Sequence, residues 1–147
     1  MTGGFTVLSV NLSRAKGEKK VPVDRAELRA GHGFVGDAHA GDWHRQVSLL
    51  ADEDVDAMRA SGAELRAGDF AENITTRGVP LASLPVGTRL SIGDAVLEVT
   101  QIGKECHQGC AIRRQVGDCV MPRMGIFCRV IEGGSVGRGD TGRYGVR

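Results

Sequence analysis

Four cysteines are the residues of this 147-residue chain whose chemistry is easiest to anticipate. Cys106 stands in polar surroundings, with Lys104 two residues before it and His107 directly after it. The thiolate is the reactive form of cysteine, and nearby cations lower the thiol pKa from about 8.5 because they stabilise that thiolate. The sequence therefore predicts a reactive thiol at Cys106, suited to sulfur exchange or to binding a soft metal.

The other cysteines have a more ordinary interpretation. Cys128 follows Phe127 in an expected strand and is interpreted as a small apolar core residue, and the same interpretation is open for Cys110 and Cys119. A structural zinc site is a second interpretation, because Cys106, His107 and these two cysteines are suitable ligands. Its spacing is unfavourable, since one C-x-x-x-C pair lacks the second pair usual in such sites. Disulfides are not expected in a reducing compartment.

A glycine-rich stretch, Gly31–Gly36, fits the G-x-G-x-x-G pattern of dinucleotide-binding sites. In those sites the last glycine begins a helix whose N-terminus faces the pyrophosphate. The residues after Gly36 are rich in turn formers and have no helical period. A dinucleotide site is therefore not expected here.

Two polar clusters follow that could line a binding site. In the first, Asp37 and His39 would share one face of an extended chain. Three further polar residues come shortly afterwards: His44, Arg45 and Gln46. Such a cluster could bind an anion, and the same side chains could equally satisfy backbone groups of a glycine-rich loop.

The second polar cluster is Glu72 with Asn73, which leave the turn Gly68–Ala71 and enter a predicted strand. This position suits a pocket wall that presents polar groups to a ligand. It also suits a structural turn in which the two side chains cap backbone groups. Both interpretations remain open for this cluster, as for the first.

The elements that must position these residues are short and mostly extended. The chain has 22 glycines, four prolines and only 4% aromatic residues, which favours many tight turns between short strands. The predicted strands are Phe5–Leu12, Val21–Leu28, Gln46–Leu50, Glu72–Thr76, Thr88–Ile92, Ala95–Gln101, Phe127–Glu132 and Val136–Val146. The two strands that flank Gly93 and Asp94 are expected to form a hairpin.

One helix is predicted over Asp52–Ser61. Three acidic residues occupy its first turn, where they suit the helix dipole, and Gly62 follows its end. Val55 and Met58 would then face the core.

Two stretches without apolar periodicity are predicted loops. Ser13–Lys20 is lysine-rich and is expected to be exposed, while Gly103–Met124 is expected to be a loop with at most one short helix. About seven short strands and one helix predict a single mainly β domain over residues 1–147, built as a barrel or a strongly curved sheet. No repeat or linker divides the chain.

Composition excludes several classes of protein. A net charge of +1 gives no global attraction to nucleic acid or anionic membranes, and neither partner is expected. The longest apolar runs are too short to cross a bilayer. The segment Met1–Gly4 lacks the basic and apolar parts of a secretory signal, so a reducing, cytoplasmic location is expected.

Several of these segments, taken in order, resemble the signature of the MOSC family, the C-terminal domain of molybdenum cofactor sulfurases and its short stand-alone relatives. The segments that carry the resemblance are Val35–Gly41, Arg45–Leu50, Gly68–Thr76, Leu90–Gln101, Gly103–His107, Val116–Arg123 and Gly125–Phe127. The resemblance runs over most of the chain, from about Val7 to Asp140. It implies a β-barrel like the small barrel of pyruvate kinase.

The same resemblance matches Cys106 to the family's cysteine, which is proposed to carry sulfur as a persulfide or to ligate molybdenum. It also implies that a pocket leading to that cysteine is lined by Asp37, His39, Arg45, Glu72 and Asn73. Lys104, His107 and Arg123 belong to the cysteine region itself and are predicted to bind the cofactor with them. Their charges would tune the thiol or bind the anionic pterin phosphate.

The expected function is therefore that of a sulfur-carrier or cofactor-binding domain, with the molybdenum cofactor (molybdopterin) as its cofactor. Expected partners are the enzymes of cofactor biosynthesis and a sulfur donor such as a cysteine desulfurase. One alternative is a complete small molybdoenzyme that reduces N-hydroxylated compounds. Another is a non-catalytic interaction module in which Cys106 is structural. The family also carries an association with pyridoxal phosphate binding.

Overall fold

The computed structural model describes residues 2–16, 18–60, 62, 64–103 and 124–145. Within these ranges the chain forms eleven strands and one α-helix. The strands are β1 Thr2–Leu12, β2 Val21–Val23, β3 Arg25–Arg29, β4 Gly33–Phe34, β5 Val47–Ala51, β6 Ile74–Arg77, β7 Arg89–Ile92, β8 Ala95–Ile102, β9 Ile126–Glu132, β10 Gly134–Gly137 and β11 Thr141–Gly145. The helix, α1, is Asp52–Arg59, and a short 3-10 turn spans Leu81–Ser83.

Seven of these strands close into a barrel, in the order β1, β11, β7, β8, β9, β5, β6 and back to β1. Neighbouring strands are antiparallel except β5 and β6, which are parallel and are joined through α1. Strand β2 extends the barrel sheet by pairing with β1, and β10, β3 and β4 form a second, three-stranded sheet. The predicted mainly β barrel with one helix is confirmed.

Two apolar cores hold this arrangement together. The first fills the barrel with inward-facing side chains such as Val7, Leu49 and Leu97. The second lies outside the barrel wall, where Val55 of α1 packs near Phe127 of β9 and Met58 packs against the same cluster. Strand β5 is buried at every residue because both of its faces are covered. The predicted orientation of α1 is confirmed.

The hairpin formed by β7 and β8 turns at Gly93 and Asp94, as predicted. The glycine-rich stretch Gly31–Gly36 contains β4 and a following turn, so its last glycine does not begin a helix. The stretch therefore lacks the helix N-terminus that a dinucleotide site places against the pyrophosphate.

Two predicted strands are each divided in the structure. Val21–Leu28 breaks at Asp24, because β2 belongs to the barrel sheet and β3 to the three-stranded sheet. Val136–Val146 breaks between β10 and β11 at a turn that ends in Asp140. There the Asp140 carboxylate accepts a hydrogen bond from Gly137 N–H, which stabilises the turn.

The predicted exposed loop Ser13–Lys20 is wrong at its last residue. Lys20 is only 3% exposed, and its ammonium points into the structure. The residues before it, such as Arg14 and Lys16, are exposed as expected. Over the part of the chain that the structure describes, no helix is long and apolar enough to cross a membrane.

Candidate functional site

The segment that carries Cys106, residues 103–125, leaves the barrel after β8 and re-enters it before β9, at the same edge. We call it the cysteine segment. Strand β8 ends at Ile102 and β9 begins at Ile126, and Gly103 N–H donates to the carbonyl oxygen of Gly125 at 2.7 Å. The two ends of the segment therefore lie side by side. The predicted residues between them lie outside the described residues: Lys104, Cys106, His107, Cys110, Cys119 and Arg123. Their roles, including zinc ligation, stay predictions.

A β-bulge lies where β8 approaches this edge. Thr100 is the extra residue that interrupts the pairing of β8 with β9. Its hydroxyl hydrogen bonds with the carbonyl oxygen of His44. The next residue, Gln101, accepts at Oε1 from His44 Nε2 at 2.7 Å and donates through Nε2 to Gly103 O at 2.7 Å. The bulge therefore attaches the loop that bears His44 to the start of the cysteine segment.

Beside His44, the chain's single tryptophan, Trp43, is surrounded by basic side chains. Lys16 Nζ and the Arg45 guanidinium carbon each lie 4.6 Å from the centroid of an indole ring. These are cation–π distances. The His39 ring lies parallel to the indole with centroids 6.4 Å apart, and the His44 ring meets its edge at 6.2 Å. We call these five residues, Lys16, His39, Trp43, His44 and Arg45, the outer cluster.

Arg45 has the properties of an anion-binding residue. Its guanidinium lies between Trp43 and Phe127, 5.5 Å from the centroid of the phenyl ring. Its Nε is buried and has no hydrogen-bond partner among the described residues. A buried donor without a partner is uncommon in native proteins, and a guanidinium binds phosphate or carboxylate through paired hydrogen bonds. Arg45 therefore combines a fixed orientation with an unused donor.

Asp37 is also brought to this region, but its carboxylate is fully buried and bonded internally. Oδ1 accepts from Lys20 Nζ at 2.8 Å and from Ser13 N–H at 3.0 Å, and Oδ2 accepts from His39 N–H at 3.1 Å. Burial alone would raise the pKa of Asp37. The hydrogen bond and charge of Lys20, helped by Ser13 and Asn73, outweigh burial and hold the pKa below its usual value.

Lys20 is the member of this group that the sequence did not identify. Its ammonium lies 2.8 Å from Asp37 Oδ1, 3.0 Å from Ser13 Oγ and 3.0 Å from His39 Nδ1. The lysine belongs to a run that also contains Lys16 and Lys19, and no feature of residue type or spacing distinguishes the buried lysine from the others. Burial of Lys20 follows from the tertiary structure.

Glu72 and Asn73 are enclosed in the barrel wall. Asn73 Oδ1 accepts from Ser48 N–H at 3.0 Å. Glu72 accepts from the Thr75 hydroxyl at 2.8 Å and from Phe70 N–H at 3.3 Å. Burial raises the pKa of Glu72, although these hydrogen bonds partly oppose the rise. Both side chains therefore bond internal groups of the wall.

We call Lys20, Asp37, Glu72 and Asn73 the inner cluster. The inner and outer clusters meet at His39, which bonds Lys20 and Asp37 on one side and stacks on Trp43 on the other. Of the predicted site residues that the structure describes, Asp37, His39 and Asn73 lie together, and Arg45 joins them through Trp43. The Glu72 carboxylate instead bonds the Thr75 hydroxyl and Phe70 N–H.

The fourth cysteine, Cys128, has no access to solvent. It lies in β9 within the barrel core, so its predicted role as an apolar core residue is confirmed. Burial, with a smaller effect of the negative charge of Glu98, raises the pKa of its thiol far above the usual value. Among the described residues no group of three or more His, Cys, Asp or Glu side chains could hold a metal ion.

Comparisons with known proteins agree with this architecture. The structure is similar to that of YuaD from Bacillus subtilis, with a TM-score of 0.83 at 20% identity, over 100% of this chain and 99% of that chain. YiiM from Geobacillus stearothermophilus aligns with a TM-score of 0.72 at 20% identity, covering 97% of this chain and 76% of that one. YiiM from Escherichia coli aligns with a TM-score of 0.72 at 18% identity, and the alignment covers 99% of this chain and 71% of that one. At such identities the likeness shows the fold.

A search of curated proteins found no match to the chain. The sequence profile of the MOSC domain, in contrast, matches residues 36–142. That range includes both polar motifs that flank His39 and Asn73, the hairpin of β7 and β8, and the whole cysteine segment. Because the match extends over well above half of the sequence, the chain belongs to the MOSC domain family.

Proposed function

We propose that this MOSC domain acts in molybdenum cofactor metabolism by carrying sulfur as a persulfide on Cys106, beside an anion-binding outer cluster. The observation that supports this most is the position of Arg45. Its guanidinium, with an unused buried donor at Nε, packs on Phe127 near the start of β9, where the cysteine segment returns. A thiolate, a persulfide and a phosphate are all anions that such a cation attracts.

The length of the chain limits how far Cys106 can be from this edge of the barrel. Three peptide units separate Cys106 from Gly103. Consecutive Cα atoms are about 3.8 Å apart, so the two Cα atoms are separated by no more than about 11 Å. Gly103 is bonded to Gln101, which in turn bonds His44 of the outer cluster. This limit supports a thiol within reach of the outer cluster.

The proposed transfer needs no oxidant or reductant. The Cys106 thiolate attacks the outer sulfur of a donor persulfide, R–S–SH. A new S–S bond forms on Cys106 as the donor's own S–S bond breaks, leaving Cys106–S–SH and the donor thiolate R–S⁻. Lowering a thiol pKa from about 8.5 to about 7 requires about 2 kcal/mol, which one or two nearby cations supply. Lys16 and Arg45, the two cations over Trp43 in the outer cluster, would act in this way.

The outer cluster also fits the anionic part of the molybdenum cofactor. The Arg45 guanidinium and Lys16 would hold the phosphate, since guanidinium and ammonium groups both bind phosphate. When bound, the cofactor would supply a soft metal that a thiolate can ligate. The residues of this chain would then orient the phosphate and keep the thiol ionised.

Sulfur loading can be tested directly on the reduced, folded protein. After incubation with a sulfane-sulfur donor, peptide mass analysis is expected to show one added sulfur on the Cys106 peptide. Cys128 serves as an internal control, because a buried thiol should stay unmodified unless the protein unfolds. Cys106→Ser should abolish loading, whereas Cys110→Ser should retain it. No adduct on Cys106, or equal adducts on every accessible cysteine, would contradict the proposal.

A further inference from the structure

His39 is held from several directions at the junction of the two clusters. Its ring nitrogen Nδ1 lies 3.0 Å from Lys20 Nζ, and its backbone N–H donates to Asp37 Oδ2 at 3.1 Å. Its carbonyl oxygen accepts from Trp43 Nε1 at 2.7 Å, and its ring is parallel to the indole within 5°. Position and ring plane of the imidazole are therefore both fixed.

The contact with Lys20 also determines where the imidazole carries its proton. A lysine ammonium has three donors and no acceptor. Those of Lys20 have acceptors at Asp37 Oδ1, Ser13 Oγ and His39 Nδ1, all within 3.0 Å. A hydrogen bond to Nδ1 requires a lone pair there, so a neutral His39 carries its proton on Nε2. Protonation of Nδ1 would place an N–H directly against the ammonium.

We infer that Lys20 is a positioning residue that fixes His39 as a neutral hydrogen-bond donor at Nε2. This inference rests on the proposed function for the ligand, which is an anionic sulfur, thiolate or persulfide. In many Cys–His pairs the imidazole removes the thiol proton through a ring lone pair. In this chain one ring nitrogen accepts from Lys20 and the other carries a hydrogen. His39 therefore stabilises the sulfur anion by donation and is not the base that forms it.

The tautomer can be observed by ¹⁵N NMR on the full chain with labelled histidine. At neutral pH, His39 is expected to show a proton-bearing Nε2 and a lone-pair Nδ1. Its signals are assigned by their loss in His39→Gln. A proton on Nδ1, or protons on both nitrogens, would overturn the inference. The spectrum does not depend on sulfur loading, so a failure of the proposed function at Cys106 would leave this result unaffected.

Without Lys20, the His39 ring should no longer be restricted to one tautomer. The variant Lys20→Met leaves Asp37 buried without its cation, so the double variant Lys20→Met/Asp37→Asn provides a second, electrically neutral version in case the first does not fold. In either folded variant, His39 is expected to show both neutral tautomers. Lys19→Met, at the adjacent and half-exposed lysine, should leave the spectrum unchanged. If the double variant keeps the wild-type tautomer, Lys20 does not determine it.

Sulfur loading of Cys106 at pH 7 distinguishes His39 as a hydrogen-bond donor from His39 as a base. His39→Ala is expected to slow loading of Cys106 at least about tenfold, because a hydrogen bond to a charged group is lost. His39→Gln places an amide N–H near the position of Nε2 and should recover most of that loss, although an amide cannot act as a base. Equal slowing by both substitutions would indicate a base. Wild-type loading by His39→Ala would overturn the donor role.

Discussion

The inner and outer clusters adjoin through His39, yet they use their polar groups in different ways. In the inner cluster, the carboxylates and the ammonium are buried and meet partners at hydrogen-bond distance, as the Lys20–Asp37 pair shows at 2.8 Å. In the outer cluster, two cations lie over one aromatic ring, and the Nε donor of Arg45 is unused. A satisfied, buried network fixes geometry, whereas a half-buried cation with an unpaired donor can still bind a ligand.

This difference separates two kinds of residue within one family motif. Asp37 and His39 are two positions apart, but Asp37 is bonded on both carboxylate oxygens, while the His39 ring stacks on Trp43 as part of the outer cluster. We therefore expect substitutions in the inner cluster to change stability first and reactivity as a consequence. Substitutions in the outer cluster should change ligand binding with little effect on stability.

The largest expected effect is that of Lys20→Met. Removing one partner of a buried ion pair leaves the other charge without compensation, which costs about 3–5 kcal/mol. Chemical denaturation at pH 7 would measure the free energy of unfolding. Lys19→Met is a matched control, since Lys19 is partly exposed and its nitrogen lies 4.0 Å from Asp69. Exposed pairs of this kind contribute about 0–1 kcal/mol.

The double variant Lys20→Met/Asp37→Asn sharpens this test. If the penalty of the single variant comes from the unpaired Asp37 charge, the additional change Asp37→Asn should restore part of the lost stability. A double variant less stable than Lys20→Met would show that packing, rather than charge, dominates the inner cluster.

Gly68 and Gly36 allow a second comparison, because both have a φ of +88°. A Cβ at Gly68 would lie 2.1 Å from the carbonyl oxygen of Lys20, whereas a Cβ at Gly36 would meet nothing within 4 Å. Gly36→Ala should therefore cost about 1 kcal/mol from backbone strain alone. Gly68→Ala should cost about 2–4 kcal/mol, because the segment that places Lys20 must also move. Thermal unfolding of both variants measures the difference, and equal costs would show that this segment adapts easily.

Much of the framework could be predicted from local sequence. Alternation in Ala95–Ile102 and the turn at Gly93 and Asp94 identify the hairpin, because its contacts are local. The acidic first turn of Asp52–Arg59 and its two apolar residues identify the helix and its buried face. Cys128 was recognised as a core residue from its apolar neighbours in the same strand.

The division of the polar residues could not be predicted in this way. Lys20, Asp37 and Asn73 come from three separated parts of the chain, and only tertiary structure brings them together. A lysine in a basic run has no local sign of burial. The cation–π contact between Trp43 and Lys16 likewise joins residues that are distant in sequence. The sequence therefore indicated which residues are polar and near the site, but not which of them bond to one another.

Glu72 gives the next effect, a dependence of stability on pH. Burial raises the pKa of Glu72 in the folded state above its usual value of about 4.5. The stability that this group contributes is therefore fully present below that value and is lost as the pH rises through the folded pKa. Each unit of difference between the folded and unfolded pKa corresponds to about 1.4 kcal/mol.

The measurement compares wild type with Glu72→Gln, which does not titrate, by chemical denaturation at pH 5 and pH 8. The free energy of unfolding should decline more with pH in wild type than in the variant. Contributions of the four histidines cancel in this difference. Asp37 has the opposite sign, since its pKa is lowered, and its contribution is lost only as the pH falls below about 3.8. Identical pH profiles of the two proteins would show that Glu72 remains ionised when folded.

The smallest expected change in stability is that of Arg45→Ala. Its loss removes cation–π contacts worth about 0.5–1 kcal/mol at a partly exposed site, and it also removes a buried donor that has no described partner. Unfolding followed by circular dichroism should therefore differ from wild type by less than about 1 kcal/mol. Titration with inorganic phosphate, followed by the fluorescence of Trp43, should in contrast lose most of the wild-type response. Arg129→Ala, which removes an exposed arginine paired with Glu98, is the control expected to keep that response. If Arg45→Ala destabilised the protein as much as Lys20→Met, Arg45 would belong to the framework and the distinction between the two clusters would fail.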